Sequence, residues 1–234
     1  MNQQLEEMIA DSRNLVFFGG AGVSTESGIP DFRSVDGLYH QQWNWPPEQI
    51  LSHEFFNQHP EEFYRFYRAK LLALDAKPNP AHLRLAQLER EGKMRAVITQ
   101  NIDGLHQAAG SSRVLELHGS IWRNHCTSCG KAWGIQAITQ SQGVPRCNCG
   151  GIIKPDVVLY GEPLDDRVIR QAINALEGAD LLIVGGTSLT VYPAAGLLAY
   201  YGGSKLVVIN KTPTSADRRA DLILTQPIGQ VLNK

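Results

Sequence analysis

Leu15-Val16-Phe17-Phe18-Gly19-Gly20-Ala21-Gly22-Val23-Ser24-Thr25 decides the fold of this chain. A short apolar run, the pattern of a strand buried on both faces, passes directly into a turn of small residues. At the end of a parallel strand such a turn lets the backbone approach a pyrophosphate, and a helix that follows offers its N-terminal amides. Three further apolar runs, at 96–99, 181–184 and 206–209, read as strands of the same kind. The stretches 61–74, 81–91 and 167–176 carry apolar residues three and four apart, so helices alternate with the strands. The pattern predicts an α/β fold, a Rossmann-like doubly wound parallel sheet. Thr25 stands where a third glycine would complete G-x-G-x-x-G, and no acidic residue closes a strand about 20 residues later, which argues against a hydride-transferring dehydrogenase.

Two segments interrupt the alternation: 34–77, aromatic and helical in its second half, and 119–154, which holds all four cysteines. They predict one domain in two lobes, a large one of 1–33, 78–118 and 155–234 and a small one of 34–77 (helical) and 119–154 (zinc module). The cysteines fall as Cys126-Thr127-Ser128-Cys129 and Cys147-Asn148-Cys149. Two tight pairs joined by a returning segment suit one tetrahedral thiolate site, and with all four used no coordination position stays open for chemistry. A structural Zn2+, one per chain, is expected; two disulfides or four unrelated thiols are the alternatives. Gly150 and Gly151 supply the freedom that the shorter C-x-C turn needs.

A formal net charge of -1 leaves no basic field for nucleic acid and no polybasic membrane patch. Only Arg123, Lys131 and Arg146 lie near the cysteines, which weakens a nucleic-acid-binding zinc ribbon as a reading. The first eleven residues read as an amphipathic helix without the apolar core of a signal peptide, so the chain is expected in the cytoplasm, in keeping with reduced thiolates.

Past the glycine turn the sequence runs Ser24-Thr25-Glu26-Ser27-Gly28-Ile29-Pro30-Asp31-Phe32-Arg33. Further blocks follow: Thr99-Gln100-Asn101-Ile102-Asp103-Gly104-Leu105-His106, Leu117-His118-Gly119, the cysteine pairs, Lys154-Pro155-Asp156-Val157-Val158-Leu159-Tyr160-Gly161-Glu162, Gly186-Thr187-Ser188-Leu189 and Val208-Ile209-Asn210. In composition and order these resemble the sirtuin family of NAD-dependent protein deacylases, in particular its short bacterial type consisting of the catalytic core. The resemblance spans about residues 14–228. It implies NAD as cofactor, acyl-lysine proteins or peptides as partners, and nicotinamide, O-acetyl-ADP-ribose and deacetylated lysine as products.

The resemblance also implies the site. Gly20, Ala21, Gly22 and Thr25 would approach the phosphates, Phe32 and Arg33 cover the nicotinamide ribose, and Gln100, Asn101, Ile102 and Asp103 surround nicotinamide and ribose. Asp103 would accept from the carboxamide and Asn101 order a water or hydroxyl. Gly186, Thr187, Ser188 and Asn210 would meet phosphates and ribose beyond the strand ends, and Ile228 would pack on adenine or serve as a C-terminal core residue. His118 is the expected general base, taking a proton from a ribose hydroxyl. The other histidines, His40, His53, His59, His82, His106 and His125, suit structural roles. Val157, Tyr160, Gly161 and Glu162 would take the peptide as an added strand, with Val191 on the facing edge.

This chain departs from the family pattern at Gly19 (often Thr), Lys154 (Arg), Tyr160 (Phe) and the shortened second cysteine pair. Sirtuins that prefer succinyl or malonyl groups carry Tyr and Arg three apart on a small-lobe helix. Here Tyr64 is followed by Tyr67 and Tyr67 by Lys70. A neutral acyl pocket is expected, acetyl first and longer acyl groups second, with Arg65 and Arg68 solvated.

Overall fold

The computed structural model describes residues 2–32, 37 and 43–233; Arg33 and His40 lie outside them. Six strands form one sheet in the order β3-β2-β1-β7-β8-β9: β1 (Leu15–Gly19), β2 (Met94–Thr99), β3 (Val114–Glu116), β7 (Leu181–Gly185), β8 (Lys205–Ile209) and β9 (Leu222–Leu224). Every pairing is parallel. This is the dinucleotide-binding order, in which strand connections reverse direction between β1 and β7 and leave a crevice beyond their carboxyl ends.

Alternation along each strand builds a core on each face. Val16, Phe18, Ile98, Val184 and Val208 meet Ala172 and Leu176 of α8 (Asp166–Glu177). Leu15, Phe17, Val97, Ile183 and Val207 meet Leu5 and Ile9 of α1 (Gln3–Asp11) and Leu85 and Leu88 of α5 (Pro80–Arg90). Asn2 caps α1, Asn79 caps α5 and Asp165 caps α8, each accepting a backbone N–H of the first turn.

A second sheet of three antiparallel strands, β5-β4-β6, comprises β4 (Gly119–Cys126), β5 (Ala132–Gly134) and β6 (Ile153–Val157). It shares a separate core with α3 (His53–Gln58) and α4 (Pro60–Lys70), in which Phe55, Phe63, Phe66 and Tyr67 pack with Ile121, Ile138 and Ile153. β6 runs across the expected lobe boundary at 154 and on to Val157.

Three expectations differ from the structure. The helix read over 61–74 stops at Lys70. No α-helix follows the glycine turn: two 3-10 turns, Ala21–Val23 and Thr25–Ser27, stand there, and the left-handed Gly28 ends the second. Arg68 is not a solvated residue, because its guanidinium donates to the carbonyls of Ile138 (3.0 Å) and Gly143 (2.8 Å) and to Ser141 Oγ, joining α4 to the cysteine segment. Arg65 is exposed as expected and pairs with Glu62 at 2.7 Å.

Candidate active site

Gly20–Thr25, Gln100–Asp103, His118, Gly186–Ser188 and Asn210 lie at one edge of the sheet, because each group follows the carboxyl end of a parallel strand. Beyond β1 and β7 two loops meet backbone to backbone. Gly22 N–H donates to Gly186 O at 2.8 Å. A Cβ on Gly22 would lie 2.8 Å from Gly186 Cα, and one on Gly186, whose φ is +58°, would lie 2.4 Å from Val23 N. Gly20 and Ala21 lie in the same loop, and Thr25 Oγ1 donates to Gly22 O at 3.0 Å. Phe32 packs, partly buried, against the small-lobe core.

After β2 the chain turns inward. Gln100 takes Gly19 O with its N–H at 2.9 Å, and its Oε1 accepts from Thr187 Oγ1 at 3.2 Å. Its Nε2 is buried with no partner among the described residues, a donor suited to a ligand oxygen. Asn101, buried, donates from Nδ2 to Ser24 Oγ (3.1 Å), and Ser24 donates in turn to Asp103 Oδ2 (2.7 Å). The direction is fixed, since a carboxylate without a proton only accepts. Asp103 Oδ1 accepts Leu105 N–H at 2.9 Å, so it also caps the turn of α6 (Leu105–Ala108). Ile102 O accepts Ile121 N–H at 3.0 Å and Asp103 O accepts Trp122 Nε1–H at 2.8 Å, so β4 holds this loop from behind.

His118 lies two residues past β3 and directly before β4. Its Nδ1 is 2.9 Å from Gln100 O. A carbonyl only accepts, so Nδ1 carries the proton and Nε2 keeps its lone pair. Burial lowers the pKa of this imidazole, with the bond to the Gln100 carbonyl opposing. The ring is therefore neutral near pH 7, the state a general base requires.

Thr187 Oγ1 also accepts Leu189 N–H, and Ser188 shares a hydrogen bond with Thr190 at 2.8 Å. Asn210, just past β8, donates to Thr212 O at 2.7 Å, leaving its Oδ1 as an acceptor. Ile228 is buried in the core beside Phe17 and Ile209, close over Gly185. That placement suits the core role weighed for it.

In the peptide stretch, Val157 ends β6 and Val158 N–H donates to His118 O at 3.0 Å. Tyr160 is backbone-paired to 51–53: its N–H donates to Leu51 O and its carbonyl accepts from His53 N–H, both 2.9 Å. Its side chain is exposed, and Gly161 has φ +89°. Glu162 turns inward: its carboxylate accepts from Leu159 N–H (2.9 Å), Lys154 Nζ (3.0 Å) and His53 Nδ1 (2.8 Å). Val191 lies beyond β7, its carbonyl accepting Ala195 N–H.

The sulfurs of Cys126, Cys129, Cys147 and Cys149 all lie within 4.8 Å of one another, with Cys126–Cys149 at 3.4 Å and Cys129–Cys147 at 3.8 Å. Four thiolates at about 2.3 Å from one zinc stand roughly 3.8 Å apart, whereas a disulfide needs about 2.05 Å. The donor set fits Zn2+. A hydrogen bond from Cys129 N–H pulls the Cys126 thiol down. At Cys149 the pull of Gly151 N–H is outweighed by the neighbouring sulfurs of Cys126 and Cys129, which push that thiol up, the repulsion of crowded thiolates that a cation between them relieves. Gly150, at φ +88°, closes the tight second turn.

Ser24, Trp122 and Lys154 were given no role by the sequence reading. Ser24 carried a signal, as a polar residue inside the quoted turn; the other two act only through contacts that the fold makes.

Crevice, glycine cradle and thiolate cluster together define a dinucleotide-binding enzyme of two lobes. A model of the Sir2 family matches residues 20–193. An NAD-dependent protein deacetylase of Clostridium perfringens (strain 13 / Type A) is 60% identical over 99% of this chain and 96% of its own length. A solved Sir2 complex with a p53 peptide and NAD+ superposes with a TM-score of 0.88 at 42% identity, covering 99% of this chain and 96% of that one. Another, an alanine variant of Sir2 with deacetylated p53 peptide and 3'-O-acetyl ADP ribose, gives 0.91 at 41%, covering 98% and 95%. The chain belongs to the Sir2 family, the sirtuins.

Proposed function

We propose that the protein is an NAD-dependent protein-lysine deacetylase that yields nicotinamide, O-acetyl-ADP-ribose and the free lysine. The observation that carries this reading is the His118 imidazole, held by the Gln100 carbonyl with Nε2 unprotonated, on the same crevice edge as the Asn101–Ser24–Asp103 chain. The family relatives named above support the same activity. When bound, NAD supplies the nicotinamide leaving group and the ribose carbon that captures the acyl oxygen.

The residues do the rest. The close-packed loops around Gly22 and Gly186, with Gly20, Ala21, Thr25, Thr187 and Ser188, would hold the phosphates, and Asn210 a ribose hydroxyl. Asp103 and Ile102 would hold the carboxamide, while Asn101 keeps its Oδ1 for a water or hydroxyl. Phe32 would exclude water from the reacting carbon, and Arg33 would meet the cofactor beside it. Neutral His118 would take a hydroxyl proton at Nε2. The acyl-lysine peptide would lie along Val157–Tyr160 with Val191 opposite, and Glu162 would act indirectly by fixing that turn. The four cysteines would hold one structural zinc, and the lobes would divide as the sequence predicts except that the boundary at 154 moves to the end of β6 at Val157. Among the described residues no helix is long and apolar enough to cross a membrane; a cytoplasmic setting suits reduced thiolates.

Mass spectrometry of an acetyl-lysine peptide incubated with protein and NAD tests the proposal. Deacetylated peptide, nicotinamide and O-acetyl-ADP-ribose are expected in equal amounts. Nicotinamide release with the peptide still acetylated would replace deacetylation by NAD hydrolysis or ADP-ribosyl transfer.

A further inference from the structure

The double turn at 21–27 forms one wall of the crevice without an α-helix to stiffen it. Val23 is fully buried, and the donor to its carbonyl is a side chain from far along the sequence: Asn79 Nδ2, at 2.7 Å. The same nitrogen donates to Ser27 Oγ at 3.0 Å, so one amide group grips both 3-10 turns. Asn79 is itself 5% exposed and held on every side. Its Oδ1 accepts Ala81 N–H at 3.0 Å, and its own N–H donates to His82 Nδ1 at 3.2 Å, a reciprocal capping box that opens α5 between Pro78 and Pro80.

One residue beyond Val23, Ser24 receives the Asn101 amide and donates to Asp103. The peptide unit joining Val23 to Ser24 is therefore fixed on one side by Asn79, and on the other it carries the hydroxyl that links the two residues of the nicotinamide wall. The start of α5 backs the second wall as well, since the His82 ring meets His106 of α6 edge-on at 4.8 Å, in the helix that Asp103 caps.

We propose that Asn79 is a positioning residue for the reaction: through the Val23 carbonyl it sets the Ser24 hydroxyl, and through that hydroxyl the Asn101 amide and the Asp103 carboxylate. It acts from beneath the site, on residues that face the cofactor. The inference rests on the deacetylase reading of the same site.

Asn79→Asp separates this role from helix capping. Asp caps a helix as well as Asn does, but its carboxylate presents an oxygen to Val23 O where a donor stood. The turnover number for deacetylation and the rate of exchange of labelled nicotinamide into NAD should both fall by about 10- to 100-fold, the scale of a misplaced catalytic group. The peptide KM should stay within about twofold, because the peptide contacts are untouched; the melting temperature should fall, since a carboxylate is buried against the Val23 carbonyl, so both rates are read at a temperature where circular dichroism shows the variant fully folded. In a Ser24→Ala background the same substitution should cost little more, since the two residues act in series. Should Asn79→Asp not fold, Asn79→Ser replaces it with the same readouts, keeping a cap on a side chain too short to reach Val23 O.

Wild-type turnover in the folded variant, or a loss equally large with and without Ser24, would overturn the inference. A wild-type protein that leaves NAD and acetyl peptide unchanged would instead overturn the functional reading beneath it.

Discussion

The parallel sheet and the antiparallel sheet sit side by side in one chain and are held by different means. In the first, β1, β7 and β8 are buried along almost their whole length, with one apolar core on each face. In the second, β5 is three residues long with two of them exposed, and only one face meets a core. The large lobe is sustained mainly by apolar burial on both faces of its sheet. The small lobe adds four thiols drawn together within 4.8 Å at the far end of β4 and its neighbours, placed to serve as a metal cross-link. His118, the proposed base, stands at the joint, directly ahead of β4 and bonded through its carbonyl to Val158 N–H beyond β6, so disorder in the small lobe would reach its ring.

Removing zinc should break this contrast most severely. We expect one zinc per chain by elemental analysis, and its chelation, or Cys126→Ala, to abolish deacetylation. Limited proteolysis should then cut within 119–157 while the parallel sheet stays protected and most far-UV circular dichroism survives. Cooperative loss of the whole fold, or full activity without metal, would erase the distinction between the lobes.

Acid should act on the other lobe. Burial lowers His82 to about 4, and burial followed by the neighbouring His82 lowers His106 to about 3, both from 6.5. The unfolded chain then binds protons that the folded chain refuses, so stability is fully present above pH 6.5, declines as the pH falls, and stops declining near the folded values. The His82 shift alone is worth up to about 3 kcal/mol. Both nitrogens of His106 are buried with no partner among the described residues, so His106→Phe should flatten the dependence between pH 6.5 and 4, measured by thermal melts. An unchanged slope would show that another group drives it.

A smaller effect sharpens the small-lobe side. Tyr64 is fully buried and its hydroxyl donates to Ile153 O of β6 at 2.5 Å. Tyr64→Phe should cost about 1 kcal/mol, the net worth of one such bond, seen as a modest drop in melting temperature with zinc content unchanged.

How much was legible follows the same division by distance along the chain. The glycine turn, the central strands and the cysteine pairs are local patterns, and the sequence displays them directly. The edge strands β3 and β9 escaped because each has three residues and only Leu224 among them is buried, so neither makes a continuous apolar run. Arg68 read as solvated because its carbonyl acceptors lie 70 and 75 residues away. Asn101, Ser24 and Asp103 were visible as separate residues, but the chain that joins them closes over separations of 77 and 79. The inward turn of Glu162 likewise depends on His53, which comes from another element of the small lobe.

In the proposed reaction His118, neutral and held by Gln100, removes a proton after nicotinamide has left. The most direct test of that step is His118→Ala, assayed side by side for exchange of labelled nicotinamide into NAD and for peptide deacetylation. Exchange should continue while deacetylation falls by about 10²- to 10⁴-fold, the usual worth of a general base. Deacetylation at the wild-type rate would contradict the assignment.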